Sequence, residues 1–281
     1  DSSTSRGLGD VYKRQQIGRY SCLPFINQGI NMTDVVQHTN DNLVLIEGES
    51  ASGKSASLMG LENPEGVVYA NCEAGKKLPF PSKFKEVVVT DPYQVHQMFD
   101  WLETEKPKAK YHTAVIDTAN FLMDMFESVY VIGSSNGQKA WGDYGQFWKN
   151  LMQQKVAASS KNVIMFGHAV PTLNEEQGIM EYSMPMKGAM KGKAEAFFSM
   201  VLMARKVPLK VLKDYDNPLL TITEEDEILG YKHVFQTRLT KETVGMRIRG
   251  PMGMWDRKES FIDNNVQFVL NRLREYYGSA D

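Results

Sequence analysis

The sequence predicts an α/β fold: a mainly parallel sheet flanked by helices, with a C-terminal β-hairpin and helix added. Three observations carry that expectation. Strand-like and helix-like segments alternate from residue 32 onward. The strand-like runs are apolar almost without a break, which suits strands covered on both faces. Between the first of these runs and the helix-like stretch after it stands GESASGKS, residues 48 to 55, a glycine-rich turn closed by Lys54 and Ser55.

In order, Leu43–Glu47 is the first strand, apolar and β-branched. After the turn, Ala56–Leu61 opens a helix. Gly66–Asn71 is the second strand, ending at Cys72 and Glu73, and Glu86–Thr90 is the third. Asp91-Pro92 starts a helix, because a proline in the first turn gives up an N–H that has no partner there anyway. Val95, Met98, Phe99 and Leu102 then fall at the three–four spacing of one buried face. Thr113–Asp117 is the fourth strand, a long helix runs from about Gly145 to Ser159, and Asn162–Gly167 and Phe198–Ala204 are the fifth and sixth strands. Beyond Lys206 a hairpin is expected, with strands near 209–213 and 231–238, then a final helix from about 261 to 277.

A length of 281 residues, 42% hydrophobic and 23% charged, allows one large α/β domain or two small ones. The alternation favours one domain over 32–281, its core at about 40–206 and the hairpin and helix in 207–281. Residues 1–31 form an N-terminal segment. Its first fifteen, DSSTSRGLGDVYKRQ, show neither period nor apolar cluster and read as non-native or disordered. The natural start is then missing, or is Met32. A net charge of −2 means that any nucleic-acid contact must come from a local basic patch. Cys22 and Cys72 suit no metal motif by spacing and read as reduced thiols in a cytoplasm. No apolar run has the length of a membrane span. The sixteen methionines read as adaptable core filler.

GESASGKS matches G-x-x-x-x-G-K-S/T, the phosphate loop, and has the strand before and helix after that the motif requires. Gly48 and Gly53 let the backbone curl, and Glu49, Ser50, Ala51, Ser52 and Ala56 complete a cradle of inward N–H groups. Lys54 would reach the β- and γ-phosphates of ATP, and the Ser55 hydroxyl would ligate Mg²⁺. The bland alternative, a flexible Gly/Ser loop, explains neither flank. Thr-Ala-Val-Ile-Asp ends in Asp117 and has the Walker B pattern of an apolar strand closed by a magnesium-shell acid. Alternatively Asp117 is a turn residue. Thr118 follows it where a glutamate would have supplied the water-activating base. Glu73 stands at the same sheet edge, where ligands bind in such folds, and takes that role here. Otherwise it only opens the turn Glu73-Ala74-Gly75-Lys76.

This order of parts resembles the RecA-like P-loop ATPases over about residues 40–206. Within them the chain looks most like the small phage-encoded Sak-type ATPases of single-strand annealing and recombination. The likeness rests on VIDTANFL at 115–122, WGDYGQFW at 141–148, VIMFGHAV at 163–170, and the tail RGPMGMWDRKESFIDNNVQFVLNRLREYYG. It implies Mg²⁺-dependent ATP hydrolysis stimulated by DNA, with Lys54, Glu73 and His168 catalytic and His168 sensing the γ-phosphate. The segment 169–193 is long, has few apolar anchors and ends in MKGAMKGK; the likeness implies that it meets single-stranded DNA through Lys187, Lys191 and Lys193. A homo-oligomeric ring or filament follows, with Arg238, Lys241, Arg247 and Arg249 as a second basic cluster that can supply a residue in trans. A phage exonuclease or single-strand-binding protein would be the partner, in a bacterial cytoplasm. Two other readings stay open: a kinase of a small metabolite, which needs an arginine-rich lid, and a nucleotide-regulated DNA-binding module with little turnover.

Overall fold

The computed structural model describes residues 40–278. The segment 1–31, the start at Met32 and Cys22 lie outside the described residues. β1 (Leu43–Gly48) is buried at every position, and its alternation divides it between two cores. Leu43 and Leu45 join one apolar cluster, Val44 and Ile46 the other. β2 (Val67–Asn71) is buried throughout, whereas β3 (Lys85–Val88) is largely exposed, as suits an edge strand. α1 (Tyr93–Leu102) buries the four apolar residues expected of it. α2 (Glu105–Lys110) leads to β4 (Thr113–Asp117), and α3 (Ala119–Phe126) follows at once.

α4 (Gly137–Asn150) starts eight residues before the expected Gly145 and continues as a π turn to Val156. The Asn136 carboxamide accepts from the Lys139 N–H at 3.0 Å and fixes that start. The aromatic stretch at 141–148 is therefore helical, and Tyr144, Phe147, Trp148 and Leu151 fill one core. β5 (Asn162–His168) comes next, then an antiparallel hairpin of β6 (Val170–Asn174) and β7 (Ile179–Ser183). β8 (Met200–Pro208), α5 (Leu209–Leu212), α6 (Glu224–Leu229), β9 (Tyr231–Gln236), β10 (Phe261–Asp263) and α7 (Val266–Gly278) complete the chain.

The eight-stranded sheet has the order β10-β9-β8-β1-β5-β4-β2-β3. It is parallel from β8 to β3, and β9 runs antiparallel to both β8 and β10. α1, α3 and α4 cover one face, while α7 with Leu58 and Leu61 covers the other. The structure thus has the α/β architecture of a P-loop NTPase. Eleven of the methionines are buried, in keeping with their reading as core filler.

Four expectations are corrected. The strand near 209–213 is α5: a four-residue apolar run does not distinguish helix from strand, and Leu212 packs with Val207 and Phe261. The hairpin is made instead by β8 and β9. The last helix starts at Val266, because 261–263 pairs with β9 and Asn265 accepts from the Gln267 N–H at 2.9 Å. After the phosphate loop, Ser55–Gly60 is a single 3₁₀ stretch and not an α-helix. Finally, the segment 169–193 is not short of apolar anchors, since Met184, Met186 and Met190 are buried in the core.

Candidate active site

Parallel register brings the carboxyl ends of four strands to one edge of the sheet. Gly48 pairs with His168, and Asn71 with Asp117. The glycine-rich turn leaves β1 at that edge, and Glu73 lies just past β2. Gly53 has φ +97°, and a Cβ there would lie 2.7 Å from Asn264 Nδ2. Glycine is needed at 53 on both counts. Asn264 donates to the Gly53 carbonyl at 2.8 Å, and His233 Nδ1 lies 2.9 Å from the Ser52 carbonyl oxygen. Residues from β9 and the end of β10 therefore brace the loop from behind. The N–H groups of Ser50, Ala51, Gly53 and Lys54 donate to no protein acceptor among the described residues. Such a row of free amides is an anion cradle.

Lys54 is only 6% exposed. Its ammonium donates to the carbonyls of Gly48 and Glu49, each at 2.8 Å, and lies 3.4 Å from His168 Nδ1. Burial pulls its pKa down to about 8, against the attraction of Asp117 and Glu73. An anion in the cradle would reverse that shift by restoring a counter-charge. Ser55 donates to Asp117 Oδ2 at 2.7 Å, and the Tyr69 hydroxyl donates to the same oxygen at 2.8 Å. Asp117 is 1% exposed, and its Oδ1 has no partner among the described residues. Burial raises its pKa, opposed by the Ser55 and Tyr69 hydrogen bonds.

His168 joins these groups to Glu73. Its Nε2 lies 3.3 Å from Glu73 Oε1, while Lys76 holds the other carboxylate oxygen at 2.8 Å. Only the tautomer with its proton on Nε2 satisfies both Lys54 and Glu73. The hydrogen bond from His168 comes first among the causes that lower the Glu73 pKa to about 2. Asn120 fixes the backbone at this point: the His168 N–H donates to its Oδ1 at 2.7 Å, and its Nδ2 donates to the His168 carbonyl at 3.3 Å. Asn120 is 5% exposed, and Asn120→Ala would leave the part-buried His168 N–H without its acceptor. We expect that variant to lose about 1–3 kcal/mol of stability in urea unfolding. A loss under about 0.5 kcal/mol would show that His168 is held by other means.

Ser50 to Ala56, Tyr69, Glu73, Asp117 and His168 thus share one cleft of about 280 Å³. Glu49 faces a neighbouring hollow with Arg205 and Met246 instead. The basic segment is only partly free, because Lys187 is ion-paired with Glu127, whereas Lys191 and Lys193 are exposed. The second basic cluster does not gather at one point. Arg238 and Lys241 line a separate cleft, while Arg247 donates to the Gly192 carbonyl at 2.9 Å and to Glu195 at 3.2 Å. Arg249 pairs through its backbone with Val201. No sequence motif assigns a role to Tyr69, Asn120, His233 or Asn264. Asn120 lies inside VIDTANFL, so its proximity to Asp117 was a signal; His233 and Asn264 come from segments too distant in sequence to show any.

These residues fit a magnesium nucleotide. The free amides and buried ammonium match phosphate, and Ser55 beside the unpartnered Asp117 Oδ1 offers hard oxygen ligands. No cluster of three metal-ligating side chains exists among the described residues, so the rest of a Mg²⁺ shell would come from phosphate and water, as that ion prefers. Compared with curated proteins, the chain matches none. The family model described as the AAA domain matches residues 40–227, more than half of the chain. With the phosphate loop, the Walker B acid and the polar end of β5 assembled at one sheet edge, the chain belongs to this AAA-domain family of P-loop ATPases.

Proposed function

We propose that the protein is a Mg²⁺-dependent ATPase of the RecA-like, Sak-type kind, acting as a homo-oligomer on single-stranded DNA in phage-type annealing or recombination within a bacterial cytoplasm. The observation that carries this reading is the contact of His168 with both Lys54 and Glu73, two residues before β6. A side chain that touches both the phosphate-binding lysine and the general base opens directly into the segment ending at Lys191 and Lys193. The reaction is phosphoryl transfer to water. Lys54 and the loop amides hold the phosphates, and Glu73 takes the proton from the attacking water once His168 turns from it to the γ-phosphate. Bound by Ser55 and Asp117, Mg²⁺ would neutralise charge on the phosphate oxygens. No arginine lines the nucleotide cleft among the described residues. That speaks against the arginine-rich lid of a metabolite kinase and leaves room for a cation from a second copy.

The test changes Lys191 and Lys193 to alanine together. Affinity for an oligothymidylate should fall, and the slope of log affinity against log salt should become shallower by roughly 0.7 for each phosphate no longer neutralised. Adding Lys187→Ala should change little more, because Glu127 already holds that ammonium. A collapse of ATP hydrolysis with an unchanged salt slope would instead place the lysines against a neighbouring subunit's nucleotide, and would remove this segment from the DNA path.

A further inference from the structure

A second cleft, of about 840 Å³, opens where β8 passes into α5, against the turn after β9 and the approach to β10. Arg205, Lys210, Arg238, Lys241 and Arg257 line it, against two carboxylates, Asp214 and Glu242. Of these carboxylates, Glu242 is spent on Lys241 at 3.5 Å. Arg205 donates to the Gln236 carboxamide oxygen at 2.8 Å, and Arg238 to the Trp255 carbonyl at 2.7 Å. Those neutral acceptors aim the guanidinium groups without cancelling their charge. Lys210 and Arg257 form no ion pair among the described residues. In a chain of net charge −2, this cleft holds a concentrated positive surplus.

Its wall is not polar alone. Tyr215 meets Phe261 edge to face with centroids 4.8 Å apart, and Val211 and Leu239 are 37% and 46% exposed beside them. Cations alone would suit any polyanion, including an acidic polypeptide. Cations interleaved with an aromatic ring and exposed apolar side chains suit unpaired nucleotides, whose phosphates take the charge while a base lies on the half-buried Tyr215 ring. The volume is three times that of the nucleotide cleft, room for more than a single nucleotide. Arg205 also lines the hollow beside Glu49 and Ser50, so the cleft and that hollow share this side chain.

We propose that the cleft at Arg205, Lys210, Arg238 and Arg257 is a second binding site for single-stranded nucleic acid, distinct from the segment 187–193. The proposal rests on the single-stranded DNA reading given above and adds to it a path along the β8–β9 side of the sheet. Lys210→Glu with Arg257→Glu tests it, since neither side chain supports the fold through an ion pair. Fluorescence anisotropy with a labelled oligothymidylate, at a series of salt concentrations, should show at least a tenfold loss of affinity. The salt slope should become shallower by roughly 1.4, from about 0.7 for each of two phosphates released. Photo-crosslinking of wild-type protein to an oligothymidylate carrying 4-thiothymidine should mark peptides containing Tyr215 or Arg257.

If wild-type protein binds no oligothymidylate, the DNA reading itself fails and this site falls with it. If it binds and the double variant matches it in affinity and slope, the cleft alone is overturned. Crosslinks confined to 187–193 overturn it too, and do so even if the double variant does not fold. Polyglutamate displacing the oligonucleotide from wild type but not binding the variant would make the cleft a site for an acidic protein segment, and would also overturn the proposal.

Discussion

Replacing Lys54 with alanine should slow ATP hydrolysis by about 10²–10³ and weaken ATP binding by roughly ten- to a hundredfold, the worth of a hydrogen bond to a charged group, while leaving the fold intact. The motif alone suggests a lysine standing exposed at the tip of its loop; the structure buries it. Burial raises the question of whether its loss would also unfold the protein. The carbonyls it bonds answer that. The Gly48 oxygen keeps the Ala169 N–H at 3.1 Å, and the Glu49 oxygen keeps the Ser52 N–H at 3.3 Å, so neither is orphaned when the ammonium goes. The ammonium is itself a burden without a ligand, since burial depresses its pKa to about 8. We expect a stability change within about 1 kcal/mol, set against a loss of about 10²–10³ in turnover from removing a transition-state donor. Urea unfolding and a fluorescent ATP analogue measure the two separately. Normal hydrolysis by the variant would remove the phosphate loop from the mechanism, and unfolding would show that Lys54 is a structural residue first.

Much of the sheet was legible because its strands are long apolar runs with both faces covered, and nothing but burial explains LVLI or TAVI. The phosphate loop was legible because its chemistry dictates residue types at fixed spacing. The acid at the end of β4 and the glutamate past β2 followed from the rule that ligands bind at the carboxyl edge. What the pattern does not show is set by contacts far apart in the chain. Leu209–Leu212 is too short for its period to decide between helix and strand, and its partners Val207 and Phe261 lie on either side in sequence. No strand residue of the β6–β7 hairpin is buried, so it has no core face to write an apolar alternation. α6 has no apolar period, although its ends are written plainly: Thr223 and Asp226 form a capping box, and Gly230 at φ +74° ends the helix. Its acidic TEEDE reads as a solvated loop unless the caps are weighed first.

The same limit applies to the site. Tyr69 reads as one more apolar residue of a buried strand, and only the pairing of β2 with β4 reveals that its hydroxyl serves Asp117. Lys187, Lys191 and Lys193 read as equivalent in sequence, yet Glu127, 60 residues earlier, engages one of them. Glu47 precedes the loop and reads as a strand-end acid. In the fold it is fully buried, and burial first, then Glu195, pushes its carboxyl up to about 8. Proximity of unlike segments is what a single chain's pattern does not encode.

Glu73→Gln should keep nucleotide binding and slow hydrolysis by about 10²–10⁴, the usual worth of a general base. A carboxylate with a pKa near 2 is a poor base as it stands, and the structure supplies the cause: His168 donates to one oxygen and Lys76 to the other. On the mechanism proposed above, its basicity would rise when His168 turns to phosphate, which would tie proton transfer to the presence of the γ-phosphate. The same contacts make a second, independent measurement available. Because the folded pKa lies below the ordinary 4.5, the ionised carboxylate stabilises the fold above pH 4.5, and that contribution is lost as the pH falls through about 2. Lys76 is 71% exposed, so water screens its share, and the wild type should exceed the variant by only about 1 kcal/mol at pH 7. That gap should close in urea titrations taken from pH 5 down to pH 2. A stability gap of this shape without any fall in turnover would make Glu73 an anchor for His168 and place the base elsewhere. A fall in turnover without the gap would mean that the carboxylate is free of His168 in solution, and that the γ-phosphate has nothing there to release.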